Sequence, residues 1–204
     1  MDNTVYFENI QARPDRQKVM FRLGYKNGMT QISAAQSRLI EVTIDDGFFL
    51  CELKGAYSFY DVLKISKGSV ALACGITLES TDIASVFAGC SRALIMASTA
   101  GNAVIEKRDL EVKNGNGSTA LVLDAAASET ADYGLDWMQE YLSGQLIKKS
   151  MSITRRFSPG YGDLGLSYQK QIYDMLKLEK IGISITERFI LVPEKSVIGI
   201  CGIR

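Results

Sequence analysis

The stretch RRFSPGY at residues 155–161 brings together a planar cation, a hydroxyl, a proline-glycine pair and an aromatic ring. Arg156 offers a fork of donors that matches a carboxylate. Pro159 pushes Ser158 toward an extended backbone, and Gly160 permits a tight or left-handed turn that leaves nearby amides open to a ligand. Tyr161 adds a ring face that can stack or attract a cation. Alone, this is also the composition of a structural turn, with Arg156 in a surface ion pair and Tyr161 packed on the core. A second group, Asp132, Asp136 and Glu140, recurs at helical spacing and forms an acidic stripe, which by itself reads as a solvated helix face. An arginine, an acid, a tyrosine and open backbone groups together suit a ligand with a carboxylate, an amine, a sulfonium and an aromatic base.

Composition narrows the chemistry further. The 204 residues contain no histidine, which removes Ser-His-Asp and Cys-His catalysis, imidazole metal sites and the usual neutral-pH proton shuttle. Lysine plus arginine and aspartate plus glutamate both number 23, so no basic excess points to nucleic acid. The four cysteines, Cys51, Cys74, Cys90 and Cys201, form no C-x-x-C pair and read as buried thiols. Apolar runs such as VALACGI are too short to span a bilayer, and no signal peptide is apparent, so a cytoplasmic protein is expected. NGNGST at 114–119 lacks the third glycine of a dinucleotide loop and reads as a turn between helices. No Gly-Lys dipeptide is present to build a phosphate loop.

The elements that must position these residues follow from periodicity. Residues 1–20 read as an irregular N-terminal extension. A helix is expected over SAAQSRLIEVTIDDGFFL, with Ala35, Leu39, Ile40 and Val42 as its core face. Strands on either side of Lys67-Gly68 form a hairpin. STDIASVFAGC is a short helix capped by Ser80 or Thr81, with Ile83, Val86 and Phe87 inward and Gly89 ending it. RALIMAST is a buried strand. A helix from Ala103 to about Lys113 is broken by NGNG, and a long helix follows, with Leu135, Met138, Leu142 and Leu146 on its core face. After the SPGY turn come a helix from Ser167 to about Lys180 and two strands, ERFILV and SVIGICGI, around a Pro-Glu-Lys turn. Strands and helices do not alternate strictly, so the expected fold is α+β: a single domain over 1–204 with a mainly antiparallel twisted sheet flanked by helices.

S-adenosylmethionine carries the ligand features named above, and the order of motifs along the chain resembles a known family that binds it. RFSPGY at 156–161, a following helix, and SITERFILVPEKSVIGICG at 184–202 are similar to the activation domain of cobalamin-dependent methionine synthase. That family has an Arg-x-x-Pro-Gly-Tyr turn and downstream patterns like Thr186, Glu187, Phe189, Pro193, Ser196 and Val197. ADYGLDWMQEYL at 131–142 sits where the family has a helix with a ligand-facing acid, matched here by Asp136. LGY at 23–25 and STDIASVFAGCSRALIMAST at 80–99 extend the likeness over nearly the whole chain.

The resemblance implies that Arg156 pairs with the carboxylate of S-adenosylmethionine and that Asp136 meets its positive end. Ser158, Gly160 and Tyr161 would supply backbone and ring contacts. It implies a role in reactivation: a flavodoxin-like reductant supplies an electron to oxidised cobalamin, and S-adenosylmethionine remethylates the cobalt. Cobalamin itself would be carried by a partner, either the cobalamin-binding subunit of a methionine synthase or another corrinoid protein, so the chain would act in trans in methionine biosynthesis and not as a complete methionine synthase. The sequence departs from the family at Ser150, where longer members carry a second acid six residues before the motif arginine, and it ends before their further tyrosine. Asp163 is a candidate replacement for that acid. Two other readings stay open: an interaction module that keeps the fold without the ligand, and an independent small-molecule methyltransferase.

Overall fold

The computed structural model describes residues 4–25, 30 and 32–204. The chain begins with strand β1 (Val5–Phe7) and helix α1 (Arg16–Arg22), whose first turn is capped by the Asp15 side chain. Residues 1–3 lie outside the described set, and over 4–20 the expected irregular extension is corrected in part: Val5–Phe7 is a strand and a helix starts at Arg16, with irregular backbone over 8–15 between them. Helix α2 (Ala34–Leu50) opens with a reciprocal capping box between Ser33 and Gln36. Strand β2 (Lys54–Ser66) turns at Lys67-Gly68 into β3 (Ser69–Leu72), and β4 (Thr77–Glu79) leads to α3 (Thr81–Val86). Strand β5 (Arg92–Thr99), helix α4 (Ala103–Lys113) and the long α5 (Gly117–Ile147) complete the middle of the chain. Helix α6 (Tyr168–Leu176), a 3-10 turn (Leu178–Ile181) and strands β6 (Ser184–Ile185), β7 (Leu191–Val192) and β8 (Ser196–Ile203) follow.

The main sheet runs β4-β3-β2-β5-β8, with β1 added beside β2, and every pairing is antiparallel. Strand β2 is long enough to pair with β5 through its first half and with β3 through its second, which curls the sheet. The fold is thus α+β, a curled antiparallel sheet flanked by helices.

Alternation along β5 feeds two cores. Leu94 and Met96 meet Leu135, Met138, Leu142 and Leu146 of α5 on one face. Ala93, Ile95 and Ala97 meet Ile83 and Phe87, Ile172 and Leu176, and Ile198 and Ile200 on the other. Each fully buried leucine, isoleucine or phenylalanine contributes about 1.5–3 kcal/mol relative to exposure. The alanine-rich first half of α5 lets α2 and α4 approach closely: Val122, Ala125 and Ala126 face Ile44 and Phe48, while Ala127 and Ala131 face Val104 and Ile105.

Three expectations are corrected. In α2 the inward residues are Thr43, Ile44, Gly47 and Phe48, with Ile40 half-buried, whereas Leu39, Val42 and Ala35 face outward. The helix after SPGY stops at Lys177, which adopts a left-handed backbone (φ +49°) before the 3-10 turn. Only the last two residues of ERFILV, Leu191–Val192, are a strand: residues 186–190 form the turn of the small β6-β7 hairpin, closed by Thr186 N to Ile190 O at 2.9 Å and Phe189 N to Thr186 O at 3.0 Å, with Phe189 at φ +65°.

Candidate functional site

The segment after α5 returns along the outer edge of β8. Thr154 N donates to Gly202 O (2.9 Å), and Phe157 exchanges both backbone hydrogen bonds with Ile200 (2.8 Å each). Three residue steps from Thr154 to Phe157 thus match two steps from Gly202 to Ile200. One residue is extra, and the edge bulges at Arg155-Arg156, a device that re-aims side chains. The Arg156 stem lies directly over Gly199 of β8, where a Cβ would stand 2.5 Å from the arginine Cδ.

The chain then enters the SPGY turn. Tyr161 N donates to Ser158 O (3.2 Å), and Gly160 has φ +89°, the pattern that Pro-Gly at the two central positions of a type II turn requires. Gly160 N is used internally, donating to Leu164 O (2.8 Å). Tyr161 does not pack on the core; the residue is 71% exposed.

Arg156, Ser158 and Tyr161 line a cleft of about 420 Å³ whose other walls are Asp132 and Leu135 from α5, Gln169 from α6, and Ser196 to Ile198 at the start of β8. That volume falls in the range of small-molecule sites. Asp136 is held differently. Its Oδ1 accepts from Arg156 Nη1 at 2.8 Å and its Oδ2 from Lys18 Nζ at 3.3 Å, and it is absent from the lining. Among the described residues, Arg156 donates to the protein through Nη1 alone, which leaves Nε and Nη2 for another acceptor.

The acid on the cleft wall is Asp132, one turn earlier. Burial raises its pKa against the opposing pull of Arg22 and Arg156, with nearby Glu129 adding to the rise. Arg22 Nη2 bonds it at 2.8 Å while Arg22 Nε bonds Glu129 at 2.5 Å. The first part of the acidic stripe is therefore covered by the cations of α1, and Glu140 is left exposed.

Gln169 was not singled out by the sequence. Its Oε1 is buried with no hydrogen-bond partner among the described residues, and it lies on the cleft wall. No local signal marks it, because an ordinary glutamine in the first turn of a helix gains meaning only when the turn and β8 close around it.

Asp163 is corrected as a replacement acid. It accepts from Ser80 Oγ, from Thr81 N (2.6 Å) and from Thr81 Oγ1 (2.5 Å), which ties the end of the SPGY loop to the start of α3. These bonds hold its carboxyl down at about 2. Burial pushes the Cys51 thiol up to about 11 and that of Cys201 up to about 12, so both stay protonated at neutral pH and poor in nucleophilic character. The loop before β8 is pinned by Asp124, which accepts from Arg108 (2.7 Å) and Lys195 (3.0 Å). Among the described residues no helix is long and apolar enough to cross a membrane, and no cluster of three or more His, Cys, Asp or Glu is arranged to hold a metal.

No family model and no curated protein matches the chain. Among solved structures, a crystal structure of the MetH reactivation domain bound to AdoHcy superimposes with a TM-score of 0.68, covering 98% of this chain and 78% of that one at 10% sequence identity. The chain shares that fold.

Proposed function

We propose that the chain binds S-adenosylmethionine in the cleft between the SPGY turn, α5 and the start of β8. In this reading it supports reductive reactivation of a cobalamin-dependent methionine synthase, or a related corrinoid methyltransferase, carried on a separate protein. The observation that carries the reading is the placement of Arg156. The bulged edge lays it over Gly199 at the wall of the cleft, which Ser158, Tyr161 and Gln169 also line, and among the described residues Nε and Nη2 of Arg156 and Oε1 of Gln169 have no partner. The shared fold with a reactivation domain that binds AdoHcy supports the same choice of ligand.

Each residue has a defined task. Asp136 grips one arm of Arg156 and orients the fork, so that its remaining donors take the ligand carboxylate at little entropic cost. Asp132 gives Oδ2 to Arg22, and its other carboxylate oxygen is the acceptor on the cleft wall for the ligand's ammonium. The Gln169 amide adds a polar group to the cleft wall, and the exposed Tyr161 side chain supplies a stacking face. The bound ligand would supply an electrophilic methyl group to a reduced cobalt centre presented by the partner. No proton moves in such a transfer, which fits a chain without histidine.

A second reading, an interaction module without ligand, draws on the 2.8 Å Arg156 to Asp136 pair, which already satisfies part of both charges. The test that separates the two uses a methionine synthase stripped of its own activation domain, inactivated by oxidation, with a flavodoxin-type reductant and methyl-labelled S-adenosylmethionine. Addition of this chain is expected to restore turnover and move label to the corrinoid, and Arg156→Ala is expected to abolish both. Restoration without label, or with Arg156→Ala unimpaired, would overturn the proposed site. Label transferred to a small molecule with no corrinoid present would point to an independent methyltransferase.

A further inference from the structure

Helix α2 carries two apolar faces, and only one is covered. Thr43, Ile44, Gly47 and Phe48 pack inward against α1 and α5. On the opposite side, Ala35, Leu39, Val42, Asp46 and Phe49 recur at alternating four- and three-residue steps and form a continuous outer seam. Leu39 is 57% exposed, Val42 51% and Phe49 79%, and Ala35 and Asp46 are exposed as well. Scattered surface leucines need no explanation, but a seam with helical period along most of a 17-residue helix does.

We propose that this outer face is a homodimer interface, with α2 of one copy docking antiparallel on α2 of a second copy about a two-fold axis near Val42. The charge pattern selects a second copy and sets the direction. Asp46 interrupts the seam, and Arg38 flanks it near the other end; neither has a partner among the described residues. In a parallel pair each acid would face its own copy, and a like charge there is destabilising. With the helices antiparallel about Val42, position 46 of one copy meets position 38 of the other, since 38 and 46 lie equally far from 42. The interface then holds two Asp46–Arg38 pairs, each acid neutralised by the other copy's Arg38. The same operation sets bulky Phe49 against small Ala35 and Val42 against Val42. Self-complementarity of this kind is what an isologous two-fold contact requires. Asp45, beside the seam, is taken up by Arg16 of its own chain at 2.6 Å and does not compete for Arg38.

A helix of this length is ~25 Å long, so the seam is a small interface and a dissociation constant on the order of 10 µM is expected. Sedimentation equilibrium of the full chain from ~1 to ~500 µM, a range spanning that constant, tests the proposal. Arg38→Asp and Asp46→Arg should each weaken the dimer ~10-fold or more, and the double variant R38D/D46R should recover to within ~3-fold of the parent. Arg38→Asp places an acid in the N-terminal part of α2 and Asp46→Arg a base near its C-terminus, both favourable to the helix dipole, so loss of dimer in a single variant cannot be ascribed to an unfolded helix. Circular dichroism of each variant checks that the helix is retained. A monomer across the whole range overturns the proposal. So does a dimer indifferent to the single substitutions, or one that the double variant fails to recover.

Discussion

The stem of Arg156 lies across Gly199, in space that a side chain at 199 would fill. A Cβ at 199 would stand 2.5 Å from the arginine Cδ and 3.0 Å from its Cγ, both in the middle of the side chain and not at a free end. Gly199→Ala must therefore lift the guanidinium out of its present rotamer while leaving its charge in place. Affinity for S-adenosylmethionine is expected to fall at least ~10-fold, equivalent to ~1.4 kcal/mol. The thermal midpoint should drop by less than ~5 °C. Calorimetry paired with a thermal melt checks both, and unchanged affinity would remove Arg156 from the role of anchor.

Gly134 does similar work for α5. A Cβ there would meet Ser98 Cβ at 2.7 Å and Leu53 Cδ1 at 2.8 Å, while Ser98 Oγ bonds the helix backbone at Ala131 O (2.6 Å). On propensity alone, Gly→Ala inside a helix gains ~1 kcal/mol. Overpacking a close helix-sheet contact costs about 1–3 kcal/mol. The second effect should win, so Gly134→Ala is expected to destabilise the fold in urea unfolding, and a stabilised variant would contradict the close contact.

The Asp163 bonds to Ser80 and Thr81 make stability depend on acid. Its folded pKa, about 2, lies below the ordinary value of ~3.9. The carboxylate thus contributes stability that is fully present above about pH 4 and is lost as pH falls toward 2. Asp163→Asn should melt below the parent at pH 7, and the gap should close as pH drops from 4 to 2. A gap constant across that window would show that the ionised carboxylate is not what secures the loop to α3.

What the sequence made legible was local. The Ser80 cap, the Pro159-Gly160 turn and the Asn-Gly break between α4 and α5 rest on contacts within a few residues, the apolar face of α5 shows in its own periodicity, and each is present in the structure, while α3 ends at Val86, ahead of the Gly89 expected to stop it. What it left obscure depends on distant partners. Asp132 and Asp136 share one stripe, and which of them reaches the cleft is set by the rotation of α5 on the sheet, which Gly134 and Ser98 fix from far apart in the chain. The α2 pattern fails for a related reason: Leu39 and Val42 do lie on an apolar face, but it is not the one the rest of the chain covers. ERFILV has the composition of a strand, yet Thr186 closes a turn back on Ile190 that composition cannot reveal.

The central claim is that the Arg156 cleft holds S-adenosylmethionine. Calorimetric titration of S-adenosylmethionine into the full chain, alongside Arg156→Ala shown to be folded by its melting profile, tests it most directly. Saturable binding is expected in the parent, and at least ~10-fold weaker binding in the variant. No heat in the parent at millimolar ligand, or equal affinity in the two proteins, would contradict it.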